Sequence, residues 1–426
     1  MNNHQHKPIA YHGKWRVPQY NSCREIIGYQ ECMGMLTCDD NGNILELYHE
    51  PKQGVISSMY EYHEVIHGQD ANGYVFTLFE SEMTVDHYFT KTTYIAKIVL
   101  VDRKVESLDE PVYDECYVKY PYLKDWAFCS RLNIDASNDS FVVELDTKDN
   151  TTLFEMNIEG GVKLSLWKYY AKSFNRYDLS IIQDTQLTIS SKNKISIKEY
   201  LKYIAIFNNF LSISLFGKQF PSIVEFKNRK EIQRHKGRMF YEIEPSVKPS
   251  KQSFLIDFNK NKDRLQTFLN NWFLNYEQMK PICNYLIDSI DRKTFDTPNF
   301  LTIAQALDGY FKRFVNKKDG KNTKQYEHQI KKLLEHFKGV HLIKKCKLDA
   351  KVLAHSRNKY SHLIPDDETK NIEKAVKGDE LKTLTQKAII LLVCCILDNI
   401  GMTTDEINTC LDGHYLNIIA SDIEFY

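Results

Sequence analysis

Residues 246–253 read SVKPSKQS, and the rhythm of the chain changes there. Pro, Ser and Lys in close succession mark a linker. Before it, apolar residues mostly alternate with polar ones; after it, they recur at helical spacing. The 426-residue chain therefore divides into a β-rich part, about 1–250, and an all-α part, about 256–426.

Upstream, GMLTCDDNGNILELYHE (34–50) is an apolar stretch, a turn over Asp40–Asn43 and an alternating stretch, with Asn41-Gly42 as the hairpin signal. DANGYVFTLFE (70–80) repeats the design, with Asn72-Gly73 before Tyr74, Phe76 and Leu78. Further strands are expected at 92–102, 140–146, 152–158, 162–170 and 178–183. Short strands with turn signals between them predict a sandwich-like domain or a partly closed barrel. One helix, 196–217, interrupts them, with Ser196 as N-cap and Gly217 at its end, and is expected to pack on the sandwich. Downstream, helices are expected near 259–276, 278–292, 297–316, 322–338, 348–363, 368–400 and 403–412. Asp349 and Thr403 or Thr404 are candidate N-caps. The fold class is thus α+β and multidomain, a β-sandwich-like domain followed by a helical bundle.

Composition excludes several function classes. Lys+Arg and Asp+Glu both number 56, so any nucleic-acid surface is a local patch. The longest apolar run, AIILLVCCIL (388–397), is too short to span a bilayer and reads as a helix buried in a core or at a subunit interface. The ten cysteines include no Cys-x-x-Cys pair, and the N-terminus has no apolar signal region; both suit reduced thiols in the cytoplasm. Neither a phosphate-cradling Gly-rich loop nor a G-x-S-x-G elbow occurs, and no cofactor is expected.

The chemistry concentrates in Arg357-Asn358-Lys359-Tyr360-Ser361-His362, near the end of the helix over 348–363. On an ideal helix Arg357 and His362 lie about 140° apart. They converge only at a helix end or with help from a second subunit, and Pro365 puts the motif near such an end. Asn358 and His362, at i and i+4, share a stripe, so the amide can orient the imidazole. Histidine, with an ordinary pKa of roughly 6.5, is a general acid or base near neutrality. Arginine offers permanent charge and a fork of donors to phosphate oxygens. The pair suits RNA cleavage by the ribose 2′-OH, without a metal. Lys344, Lys345 and Lys351 before the motif, and Lys317, Lys318, Lys321 and Lys324 in an earlier loop, are candidate phosphate contacts, and Tyr360 a candidate base-stacking or interface residue.

RNKYSH resembles the Arg-x(4–6)-His motif of ApeA-like HEPN domains, including the Asn after Arg. FLTIAQALDGYFKRF (300–314) resembles that family's earlier core helix, with Gln305, Ala306, Leu307 and Asp308 at its acidic setting, where Asp replaces Glu. GMLTCDDNGNILELY (34–48) and VIHGQDANGYVFTLFE (65–80) resemble the glycine-punctuated hairpins of the β-rich domain before such modules. The resemblance implies a homodimer through the helical domain, metal-independent cleavage of tRNA or other RNA, and bacterial anti-phage defence by abortive infection. A phage protein acting on the N-terminal domain is then the expected trigger. The competing expectation is a non-catalytic dimerisation protein with a ligand-binding β-sandwich.

Two other patterns fall away. His63-Glu64-Val65-Ile66-His67 spells H-E-x-x-H, but Gly68 and Asn72-Gly73 give it a hairpin setting, where i and i+4 residues are roughly 13 Å apart along a strand rather than on one helix face. Arg229 and His235 lie in a basic segment outside the helical module, and His4, His6 and His12 fall in an expected tail.

Overall fold

The structure is a computed structural model that describes residues 9–39, 42–48, 61–87, 91–127, 132–137, 140–145, 152–174, 179–229, 237–241, 246–249, 254–292, 296–316, 325–366, 372–414 and 416–417. Six strands open the chain: β1 (Ile9–Tyr20), β2 (Ile26–Asp39), β3 (Gly42–Tyr48), β4 (Tyr62–Asp70), β5 (Val75–His87) and β6 (Lys91–Val101). Each pairs antiparallel with its neighbours in the order β6-β3-β2-β1-β4-β5, and β5 pairs again with β6. Of the expected sandwich-like domain or partly closed barrel, these six strands form a barrel, and a closed one, because β5 finds a partner on both sides and no edge of the six is left unpaired.

The glycine-marked hairpins set the registers. Asp39 pairs with Gly42 across a two-residue connection, and Gly42 has φ +123°. Between β4 and β5, Asp70 Oδ1 accepts from the backbone N–H groups of Asn72 (2.9 Å) and Tyr74 (2.8 Å), and Gly73 takes φ +88°. Inside the barrel Trp15 is fully buried against Gly68, where an added Cβ would come within 2.1 Å of the indole ring. Leu36, Leu45, Ile66, Phe76 and Leu78 complete this core. His63 and His67 both lie on β4, so the H-E-x-x-H run is strand and not helix. His63 sits between the rings of Tyr20 and Tyr94, and His67 Nε2 lies 3.0 Å from Val105 O. His12 lies on β1 opposite Met35, not in a tail.

Further strands extend the sheet: β7 (Pro111–Lys119), β10 (Thr152–Ile158), β11 (Val162–Phe174), β12 (Leu179–Ser196), β13 (Ile223–Lys227) and β14 (Gly237–Tyr241), with β8 (Leu132–Ser137) and β9 (Ser140–Leu145) forming a separate pair. Residues 98–100 of β6 pair with β14 where β3 has ended, and the sheet continues β14-β13-β7-β12-β11-β10. At this fork the buried Asn43 amide donates to Ala96 O (3.2 Å) and Phe240 O (3.4 Å).

The helices are α1 (Leu123–Ala127), α2 (Ile197–Ser214), α3 (Leu265–Asp291), α4 (Thr297–Tyr310), α5 (Tyr326–His336), α6 (His341–Cys346), α7 (Ala350–Ser361), α8 (Gly378–Asn399) and α9 (Thr404–Asp412). The expected pair 259–276 and 278–292 is one helix running through Pro281, and α6 was not foreseen. Asp349 and Thr403 cap α7 and α9, the latter in a capping box with Glu406. Residues 388–397 of α8 are buried without exception within the chain, so this run is core. Among the described residues no helix is long and apolar enough to cross a membrane, and the described cysteines are free thiols.

The chain forms two compact units, and the cut between them is not a single point near residue 250. The second unit comprises residues 122–143, 205–219 and 246–426, so α2 begins in the β unit and ends in the helical one. Ser196 caps α2 as expected, exchanging hydrogen bonds with Glu199. In the β unit the Tyr200 ring packs tilted against Phe226, and its hydroxyl donates to Tyr113 O. From Ala205 on, α2 serves the helical unit: Trp272 Nε1 donates to Ile206 O (2.9 Å), and Phe207, Phe210 and Leu211 are buried. Burying three such side chains contributes roughly 5–9 kcal/mol, as much as a typical domain's whole stability. A chain beginning at residue 256 is therefore expected to show no cooperative thermal transition. A sharp melt at the temperature of the full chain would contradict this division.

Candidate ribonuclease site

Three helices build the site, and side-chain caps fix the starts of two of them, α4 and α7. Asp296 caps α4, accepting from Asn299 N at 3.0 Å, with Pro298 in the first turn. After Tyr310 the helix widens into a π turn over Phe311–Val315, the kind of irregularity often found at functional sites. Asp308, in the last α turn, pairs with Lys312 at 2.7 Å. Asp349 starts α7 by accepting from Lys351 N (2.7 Å) and Val352 N (3.2 Å). Leu353, Ala354, His355 and Ser356 are buried.

Arg357 is half-buried on α7. Its Cζ lies 5.6 Å from the ring centroid of Tyr326, the first residue of α5. The Tyr326 hydroxyl donates to Ala304 O of α4 at 3.0 Å, joining the three helices. Burial raises the Tyr326 phenol above its ordinary range; the Asp308 charge adds to this and the Arg357 charge opposes it. Arg357 Nη1 also donates to Asn358 Oδ1 at 3.4 Å.

His362 does not continue the helix. It is the C-cap, with φ −107° and ψ 5°, and its N–H donates to Asn358 O at 3.1 Å. Leu363 then takes φ +49°, and the N–H of Ile364 closes back onto Lys359 O. This left-handed exit, made here by a leucine where glycine is the usual residue, turns the chain out of the helix. The turn comes at Leu363, after the motif, and His362 itself still bonds back to Asn358 as in a helix. His362 stands exposed at the helix end, and Arg357 is half-buried in the last two turns.

A family model described as ApeA N-terminal domain 1 matches residues 10–272, and one described as Apea-like HEPN matches residues 301–406. The chain is an ApeA-like HEPN protein. No curated protein and no solved structure shows a detectable match. The HEPN match spans Asp308, Tyr326, Arg357 and His362. The ApeA N-terminal match runs past the expected boundary at 250 and into α3, in keeping with the role of α2 in both compact units.

The other expected site residues in this HEPN protein are placed as follows. Among the described residues the Asn358 side chain meets Arg357, and its backbone carbonyl accepts from His362 N. Tyr360 is used within the chain: its hydroxyl donates to Val376 O at 2.8 Å and its ring meets Phe300 edge-on, which leaves it packing rather than stacking on RNA. Lys351 pairs with Glu373 at 2.5 Å, and Lys345 donates to Asn417 Oδ1. Lys344 is exposed on α6. Lys351 lies in the first turn of α7, about 16 Å of helical rise from His362. Lys317, Lys318, Lys321, Lys324 and His235 lie outside the described residues. Arg229 is held in the β unit by Asp114 and Glu115.

Sequence reading missed two parts of the site. One is Tyr326, which no spacing rule ties to Arg357. The other is the return of the chain along α7, where Lys374 N donates to His355 Nδ1 and Val376 N to Ser356 Oγ. Asp366 clamps this return by pairing with both Lys359 and Lys377, which hold its carboxyl down at about 2. A depressed carboxylate contributes its stabilisation above its unfolded value and loses it as pH falls through the folded one. The window here runs from the ordinary 3.8 down to about 2. Carbon-detected NMR titration should find Asp366 near 2 in the wild type and markedly higher in Lys359→Met. An unchanged titration would remove the clamp.

Proposed function

We propose that this chain is a metal-independent endoribonuclease of the HEPN type, acting as a homodimer in bacterial anti-phage defence. The observation that carries the reading is an exposed His362 at a helix end with a half-buried Arg357 earlier on the same helix, both inside the segment matched by the HEPN model.

The chemistry follows from what each group offers. A histidine removes the proton from the ribose 2′-OH, and that oxygen attacks the adjacent phosphorus. The bond from phosphorus to the 5′-oxygen breaks, and the leaving oxygen takes a proton from an imidazolium. The products are a 2′,3′-cyclic phosphate and a 5′-hydroxyl. Arg357 meets the extra negative charge on the phosphoryl oxygens with donors that never lose their charge. One imidazole per chain supplies one proton-transfer group, so two facing copies supply the base and the acid. Asn358 supports the guanidinium, and the exposed Lys344 is available to the RNA backbone.

A nuclease of this kind is toxic when unrestrained, so the N-terminal β unit is the proposed sensor, with a phage protein as trigger and growth arrest in the cytoplasm as outcome. Burial of Arg357 and His362 in separate packing environments would favour the competing binding-protein reading; His362 is instead exposed.

Induced expression of the full chain is expected to arrest growth and give discrete RNA fragments on a denaturing gel. His362→Ala and Arg357→Ala should each reduce cleavage by about 100-fold or more while remaining folded. Folded variants that cleave and arrest growth like the wild type would overturn the assignment.

A further inference from the structure

The residue beneath Arg357 lies outside its motif. Tyr326 is held at two places: its hydroxyl donates to Ala304 O at 3.0 Å, and its ring is buried where α4, α5 and α7 meet. A ring tethered in this way presents a fixed face, and the Arg357 guanidinium lies over that face with Cζ 5.6 Å from the centroid. Among the described residues the guanidinium makes one hydrogen bond, the long contact of 3.4 Å to Asn358. An arginine carries five N–H donors, and stacking on an aromatic ring uses none of them. The face of Tyr326 can therefore hold the side chain while leaving its donors for another group.

We propose that Tyr326 is a positioning residue: its ring holds the Arg357 guanidinium at the angle from which its free N–H groups meet a phosphate. This rests on the reading of Arg357 as the phosphate-binding group. Preorganised donors act because they do not have to be collected at the moment of reaction. An arginine without its platform spreads over many rotamers and reaches the phosphate in few of them. The ring is what matters for this role; the hydroxyl serves to anchor it.

The test compares full-length wild type, Tyr326→Phe, Tyr326→Leu and Arg357→Ala by two readouts: RNA cleavage on induced expression, and the Arg357 Nε–H resonance in arginine-labelled protein, identified by its disappearance in Arg357→Ala. Wild type should show that resonance shifted upfield by the ring, in Tyr326→Phe too. Tyr326→Leu should lose the shift and about tenfold or more of the cleavage, and Tyr326→Phe should stay within about threefold of wild type. A wild-type resonance with no ring-induced shift overturns the proposal without recourse to any variant. So does a Tyr326→Leu protein that cleaves at the wild-type rate while Arg357→Ala is inactive. If Arg357→Ala itself cleaves like the wild type, the ribonuclease reading fails first and the positioning role goes with it.

Discussion

A helix that is apolar on every side has to be surrounded, and α8 is such a helix. Residues 388–397 present Ala, Ile, Leu, Val and Cys around the full circumference, and all ten are buried. The α3, α4, α6 and α9 helices pack against α8. The site depends on this arrangement at one remove. With α4 fixed against α8, Ala304 can receive the Tyr326 hydroxyl and Phe300 can meet Tyr360. Those two contacts set α5 and α7, and so set Arg357.

The second constraint is the way α7 ends. His362 is the C-cap, still bonded through its N–H to Asn358 O, and Leu363 after it accepts a backbone conformation unfavourable to a branched side chain. Leu363 is also 85% exposed, so no burial of its own side chain offsets that cost.

Much of this was legible in the sequence because it rests on local rules. Asn72-Gly73 and Gly42 mark hairpins through their backbone freedom, Ser196, Asp349 and Thr403 mark helix starts through their side-chain acceptors, and Pro365 points to the end of the motif helix. What was not legible depends on pairing at a distance. Barrel closure is a property of β5 and β6 meeting, and alternation reads the same in a sandwich. The break expected between residues 276 and 278 is absent, and one helix runs on through Pro281, with Met279 and Ile282 buried on either side of it. The linker at 246–253 is real as a change of rhythm but not as a division of cores, because the second half of α2 is used by the helical unit. Tyr326 became visible only when α5 and α7 were placed side by side.

The account's central claim is that His362 and Arg357 act on a phosphodiester through its own 2′-oxygen. The direct measurement uses the full chain, a synthetic RNA cut at a mapped position, and the same RNA with a single 2′-deoxy nucleotide on the 5′ side of the scissile phosphate. The account predicts that the all-RNA strand is cut to a 2′,3′-cyclic phosphate and a 5′-hydroxyl, and that the substituted strand is left intact at that position. Cleavage of the substituted strand at the same bond would contradict it.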